Sequence, residues 1–152
     1  MMSVFDNNAL QYMLEQFPRT LLGDLWGVFE TRCSDGTIIS ESEAKKRLES
    51  EAIETDTLDW CQNNTSLFKS LTESEAKMLG ELMNSNEFAN FDDSNLRERR
   101  LPQGIPFILC MAKVQNRYYV YRKNTVYLPT ILSICKKHKI KRIEVEEYFL
   151  KI

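Results

Sequence analysis

Short runs of β-branched and aromatic residues recur along this chain, each three or four residues long: Ser3–Phe5, Thr37–Ile39, Tyr118–Tyr121 and Arg142–Val145. Helical periodicity fills the stretches between them. No other feature limits the fold as much. Short strands alternating with helices predict an α/β architecture, a parallel sheet of about four or five strands with helices on both faces. At 152 residues the chain is one domain with room for a real core.

Helices are expected over Ala9–Gln16, ending before Phe17-Pro18, and over Thr20–Arg32. In the second, Leu21, Leu22, Leu25, Trp26, Val28 and Phe29 repeat at helical spacing. Ser34-Asp35-Gly36 reads as a turn. Ser40 with Glu43 reads as a capping box opening a helix to Ala52, and Thr72 with Glu75 opens another to Ser85. A polar helix is expected over Thr57–Asn63, and residues 90–104 read as the least structured stretch. Pro106 suits the first turn of a buried helix over Phe107–Val114, and Pro129 opens one over Thr130–His138. Glu146–Leu150 reads as a terminal turn.

The net charge of −2 conceals an asymmetry. Residues 1–96 hold 18 Asp/Glu and 7 Lys/Arg, whereas residues 97–142 hold one acid, Glu98, and 12 Lys/Arg. A basic half marks a polyanion partner, or else the two halves face and neutralise each other. Cys33, Cys61, Cys110 and Cys135 are scattered and, with the single His138, make no zinc site. Buried reduced thiols and a cytoplasmic location are expected. No run of about 18 apolar residues predicts a membrane span, and no signal-peptide pattern opens the chain.

Asp6 follows the first strand. Ligands of open α/β sheets bind past the carboxyl ends of the strands, so Asp6 is placed for metal or phosphate chemistry. It equally suits the N-cap of the helix that follows, with Asn7 and Asn8 shaping the turn.

Several segments carry a family resemblance through their order. They are Val4-Phe5-Asp6-Asn7-Asn8, the helix from Asp24 to Glu30, Asp35-Gly36-Thr37-Ile38-Ile39-Ser40 leading into 42–49, and Leu58-Asp59-Trp60-Cys61. Pro106 to Ala112, Tyr119-Val120-Tyr121 and Leu128-Pro129 through Ile140 follow. Together they resemble the PIN-domain family, the VapC-like metal-dependent ribonucleases of toxin–antitoxin modules, over nearly the whole chain. The resemblance implies a PIN-like three-layer sandwich and a cluster of carboxylates at the strand ends. Such clusters hold Mg²⁺ or Mn²⁺, which activate water and stabilise the leaving oxygen.

Carried over residue by residue, Asp6 matches the family's first acid and Asn8 its accompanying polar residue. The second acid's place is taken by Arg47, before Leu48. The third's is taken by Ile105, before Pro106-Phe107, and the fourth's by Arg122-Lys123. Glu43 and Glu51 share a helix face with Arg47, and Glu43 is the candidate substitute ligand; Asp92 and Asp93 are placed to fold over the site. Arg47, Arg122 and Lys123 read as counter-ions to Asp6, as contacts to RNA, or as solvated surface. Arg97, Arg99 and Arg100 read as phosphate contacts or a solvated loop. Lys136-Lys137-His138-Lys139 and Lys141-Arg142 read as a helix end meeting its dipole. Tyr118, Tyr119 and Tyr121 suit base stacking or strand packing.

The expectation is a degenerate PIN-like protein of prokaryotic toxin–antitoxin or phage-defence type. It would be nuclease-impaired and act by binding RNA or an antitoxin-like protein, with a homodimer implied by the resemblance. The alternative is an active Mg²⁺- or Mn²⁺-dependent ribonuclease with a rebuilt acidic site.

Overall fold

The computed structural model describes residues 1–17, 19–20, 22–52, 55–84, 104–123, 125 and 127–151. Its elements in order are β1 (Ser3–Phe5), α1 (Asn7–Gln16), α2 (Gly23–Ser34), β2 (Ile38–Glu41), α3 (Ser42–Glu51) and α4 (Thr55–Asn63). After a 3₁₀ turn at Thr65–Leu67 come β3 (Phe68–Lys69), α5 (Glu73–Met83) and α6 (Ile105–Val114). The chain continues with β4 (Tyr118–Tyr121), α7 (Leu128–His138), β5 (Arg142–Glu144) and α8 (Val145–Leu150).

The strands form one five-stranded parallel sheet in the order β3-β2-β1-β4-β5. Alternation along each strand divides the core between the two faces. Val4, Ile39 and Tyr119 pack with Leu82 of α5 and with Ile108, Cys110, Ile131 and Ile134 of α6 and α7. Phe5, Ile38, Val120 and Ile143 pack with Leu10, Phe29, Leu48, Trp60 and Tyr148 on the other face. Both layers are apolar because a parallel sheet is covered on both sides. The three-layer α/β expectation is met, including β1 and β4 at their expected bounds. Cys33, Cys61, Cys110 and Cys135 are buried and unpaired. Among the described residues no helix is long and apolar enough to cross a membrane.

Several local expectations are corrected. Ser40 does not cap α3: its hydroxyl donates to the Phe5 carbonyl across the β1–β2 pair at 2.6 Å. Glu41 caps instead, accepting from the Glu43 N–H at 2.7 Å. Glu146–Leu150 belongs to a helix starting at Val145, and Phe68–Lys69 is a strand that the sequence pattern does not reveal. The Thr72–Glu75 capping box is present as read.

At the amino ends of the strands a polar chain links the turn before β2 to α5. Arg117, 8 % exposed, donates from Nη1 to the carbonyls of Gly36 and Thr37, both at 3.0 Å, and from Nε to Gln115 Oε1 at 2.8 Å. Gln115 Nε2 in turn donates to Oε2 of the buried Glu75 at 3.0 Å.

Candidate functional site

The sheet order sets the place to look. From β1 the chain moves outward to β2 in one direction, and from β4 to β5 in the other, so strand order reverses between β1 and β4. The crevice beyond the carboxyl ends of such a pair is where α/β sheets receive ligands. Asp6 ends β1 at that switch point.

Its side chain is spent on packing and capping. Asp6 is 2 % exposed. Oδ1 accepts from the Ala9 N–H at 2.8 Å, making Asp6 the N-cap of α1. Oδ2 accepts from the Tyr119 hydroxyl at 2.6 Å. Burial drives the Asp6 pKa up to about 6, against the hydrogen bonds from Tyr119, Ala9 and the Asn8 backbone, which hold it down. Burial also raises the Tyr119 pKa well above the usual range, reinforced by the charge of Asp6. The reading of Asp6 as a helix cap is therefore realised, and the structure adds a partner 113 residues away.

Asn8 lies two residues on, in the first turn of α1. Its amide donates to the Tyr127 hydroxyl just ahead of α7. Burial raises the Tyr127 pKa, with Asp6 and Glu51 adding to the effect and Arg47 opposing it. The switch point thus collects Asp6, Asn8, Tyr119 and Tyr127, which is one carboxylate, one amide and two phenols.

Glu41 is a second strand-end acid, missed in the sequence because the Ser40–Glu43 pattern competes with it. It is 3 % exposed, with Oε1 accepting from the Ser42 hydroxyl at 2.8 Å and Oε2 from Glu43 N–H at 2.7 Å. Burial raises its pKa, and the hydrogen bonds from Ser42 and Glu43 offset part of that. Adjacent strands β1 and β2 thus each end in an acid that caps the following helix, Asp6 through one oxygen and Glu41 with both oxygens on the first residues of α3.

The remaining sequence-predicted residues are dispersed. Glu43 pairs with Lys46 at 2.9 Å. Arg47 pairs with Glu51 at 3.5 Å, within reach of the Tyr127 phenol and not as a partner of Asp6. Arg122 lies over the Tyr12 ring at 4.9 Å, and Lys123 pairs with Glu144 at 3.6 Å. Ile105 is fully buried in the core. Asp92, Asp93, Arg97, Arg99 and Arg100 lie outside the described residues. Tyr119 is buried in the strand packing, while Tyr118 and Tyr121 are half-buried.

A hard divalent ion takes several carboxylate or carbonyl oxygens plus waters. Among the described residues no group of three His, Cys, Asp or Glu side chains could hold a metal ion. Among the described residues, the groups gathered around Asp6 do not match that requirement: one carboxylate, 2 % exposed, stands with an amide and two phenols.

A family model described as "Domain of unknown function (DUF4411)" matches residues 4–151. The chain belongs to this family. No curated protein matches it. Among solved structures, this DUF4411 domain is similar to the crystal structure of VapBC2 from Rickettsia felis bound to a DNA fragment from their promoter. The TM-score is 0.55 at 14% identity, over 95% of this chain and 98% of that one. At that identity the likeness concerns the fold, and it agrees with the five-stranded parallel sheet flanked by helices.

Proposed function

We propose that this chain is a PIN-like domain of toxin–antitoxin or phage-defence type, impaired as a nuclease, that acts by binding RNA or an antitoxin-like protein. One observation carries the reading: both carboxylate oxygens of Asp6 accept hydrogen bonds from inside the fold, at 2.8 Å from Ala9 and 2.6 Å from Tyr119. A metal-dependent ribonuclease needs its strand-end acids turned outward, with lone pairs free for an ion and its waters. Here Asp6 is 2 % exposed and Glu41 3 % exposed, and the place of a further expected acid holds the buried Ile105. The likeness to VapBC2, a toxin–antitoxin pair, supports the partner side of the proposal. A homodimer is compatible with it.

The test is an RNA-cleavage assay with Mg²⁺ and with Mn²⁺, comparing the wild type with Asp6→Asn. The amide keeps an oxygen for the Ala9 cap, so the variant folds. No metal-stimulated cleavage is expected from either protein. Robust cleavage that vanishes in Asp6→Asn would overturn the reading. It would favour a ribonuclease in which Mg²⁺ or Mn²⁺ is held by Asp6 with Glu43, Asp92 or Asp93.

A further inference from the structure

Among the described residues, some cations are paired with acids and others, including Lys69, Lys77 and Lys113, are exposed with no ion pair. Lys45, Lys46, Arg47, Lys123 and Lys151 each pair with a carboxylate. Around the end of α7 and the start of β5, by contrast, Lys136, Lys139, Lys141 and Arg142 are all exposed, and none forms an ion pair among the described residues. Lys141 lies over the ring of Tyr118 at 4.7 Å. The acids that follow in sequence are engaged elsewhere: Glu144 with Lys123, Glu146 facing the Tyr12 hydroxyl, and Glu147 with Lys151.

The helix dipole explains only part of this cluster. Its field falls off within the last turn, which accounts for Lys136. Lys139 lies past the end of α7 in the left-handed conformation, at φ 55°, and Lys141 and Arg142 lie beyond it at the edge strand. Four exposed cations this near in sequence, none ion-paired among the described residues, make a positive patch that attracts polyanions.

We infer that this α7–β5 end is a nucleic-acid backbone site, with Lys136, Lys139, Lys141 and Arg142 contacting successive phosphates. The inference rests on the binding reading above and moves its RNA contacts away from Arg47, Arg122 and Lys123 to the opposite end of the sheet. A nucleic acid fits better than a membrane surface. Interfacial binding needs a broad apolar face beside the cations; none of the exposed large hydrophobics lies on α7 or β5, and Met2, whose carbonyl accepts from the Tyr118 N–H, stands at this end of the sheet.

The experiment titrates labelled single-stranded RNA, duplex RNA and duplex DNA against the intact protein by fluorescence anisotropy. It is run in EDTA over a range of salt, with phosphatidylserine vesicles as a further arm. The variant Lys136→Gln/Lys139→Gln/Lys141→Gln is compared with Lys45→Gln/Lys46→Gln/Lys69→Gln, which removes equal charge elsewhere. The patch variant is expected to bind at least about tenfold more weakly, with a salt slope smaller by about 2, one fraction per phosphate lost. The control variant is expected to stay close to wild type. RNA binding without DNA binding, or binding to both, supports the site and identifies its source. Equal weakening in both variants, no weakening in the patch variant, or tighter binding to vesicles than to any nucleic acid overturns it. Cleavage of the same probes when Mn²⁺ is added would sink the impaired-nuclease reading alone, leaving the EDTA titration to decide the patch.

Discussion

The Tyr119 hydroxyl donates to Asp6 Oδ2 at 2.6 Å, joining the middle of β4 to the end of its neighbour β1. The bond holds down an Asp6 pKa that burial has pushed to about 6. Tyr119→Phe keeps the ring and removes only the donor. The Asp6 pKa should rise above its present value, read from the carboxyl carbon shift in an NMR titration. Stability should fall by about 1–3 kcal/mol in urea unfolding, the cost of leaving a buried acceptor short of a partner. An unchanged Asp6 titration would refute the assignment.

Asp6 also sets a pH dependence of defined sign. Its pKa is about 6 in the fold against 3.8 when unfolded, so the native state binds the proton more tightly. The contribution is fully present below about pH 4 and is lost as pH rises through 6. Relative to Asp6→Asn, which does not titrate, the wild type should lose up to about 3 kcal/mol of stability between pH 4 and 7. Unfolding both proteins at several pH values isolates the effect; a constant difference would count against it.

The two strand-end acids should differ in their cost on removal. Glu41→Ala loses the cap of α3, worth about 1 kcal/mol. Asp6→Ala loses a cap and also strands the buried Tyr119 hydroxyl, for a total of about 2–4 kcal/mol. Equal losses in parallel urea titrations would mean that the bond to Tyr119 adds nothing.

Arg117 offers a test at the other end of the sheet. Lysine cannot reproduce a guanidinium that meets two carbonyls through Nη1 and Gln115 through Nε. Arg117→Lys should cost about 2–3 kcal/mol. Thermal unfolding checks this, and a melting point within a degree of wild type would show the fork to be dispensable.

What the sequence made legible were features carried by neighbours along the chain. The β-branched and aromatic runs placed β1 and β4, and Thr72 with Glu75 placed the start of α5. The short reach of such signals also explains the misreadings. Ser40 carries the right residue type for a cap, but its hydroxyl is claimed by Phe5 on the adjacent strand, 35 positions away. That left the role to Glu41. β3 spans only Phe68–Lys69, too short for any alternation, and exists because β2 offers it an edge. At the candidate site Asp6 was visible as an acid at a strand end, with both a ligand and a cap open to it. Its tie to Tyr119 and the bond from Asn8 to Tyr127 span 113 and 119 positions, which no local pattern encodes.

The placement of β1 has a consequence for how this chain acquires its shape. The central strand is synthesised first among the strands, yet one of its flanking partners, β4, follows more than a hundred residues later. Until Tyr118–Tyr121 has left the ribosome, Phe5 and Val4 have no neighbour on that side and the Asp6 carboxylate has no phenol. Native pairing of such distant segments is slow and leaves an open strand edge exposed meanwhile. The nascent chain therefore carries its future centre as an unprotected edge until β4 emerges to cover it.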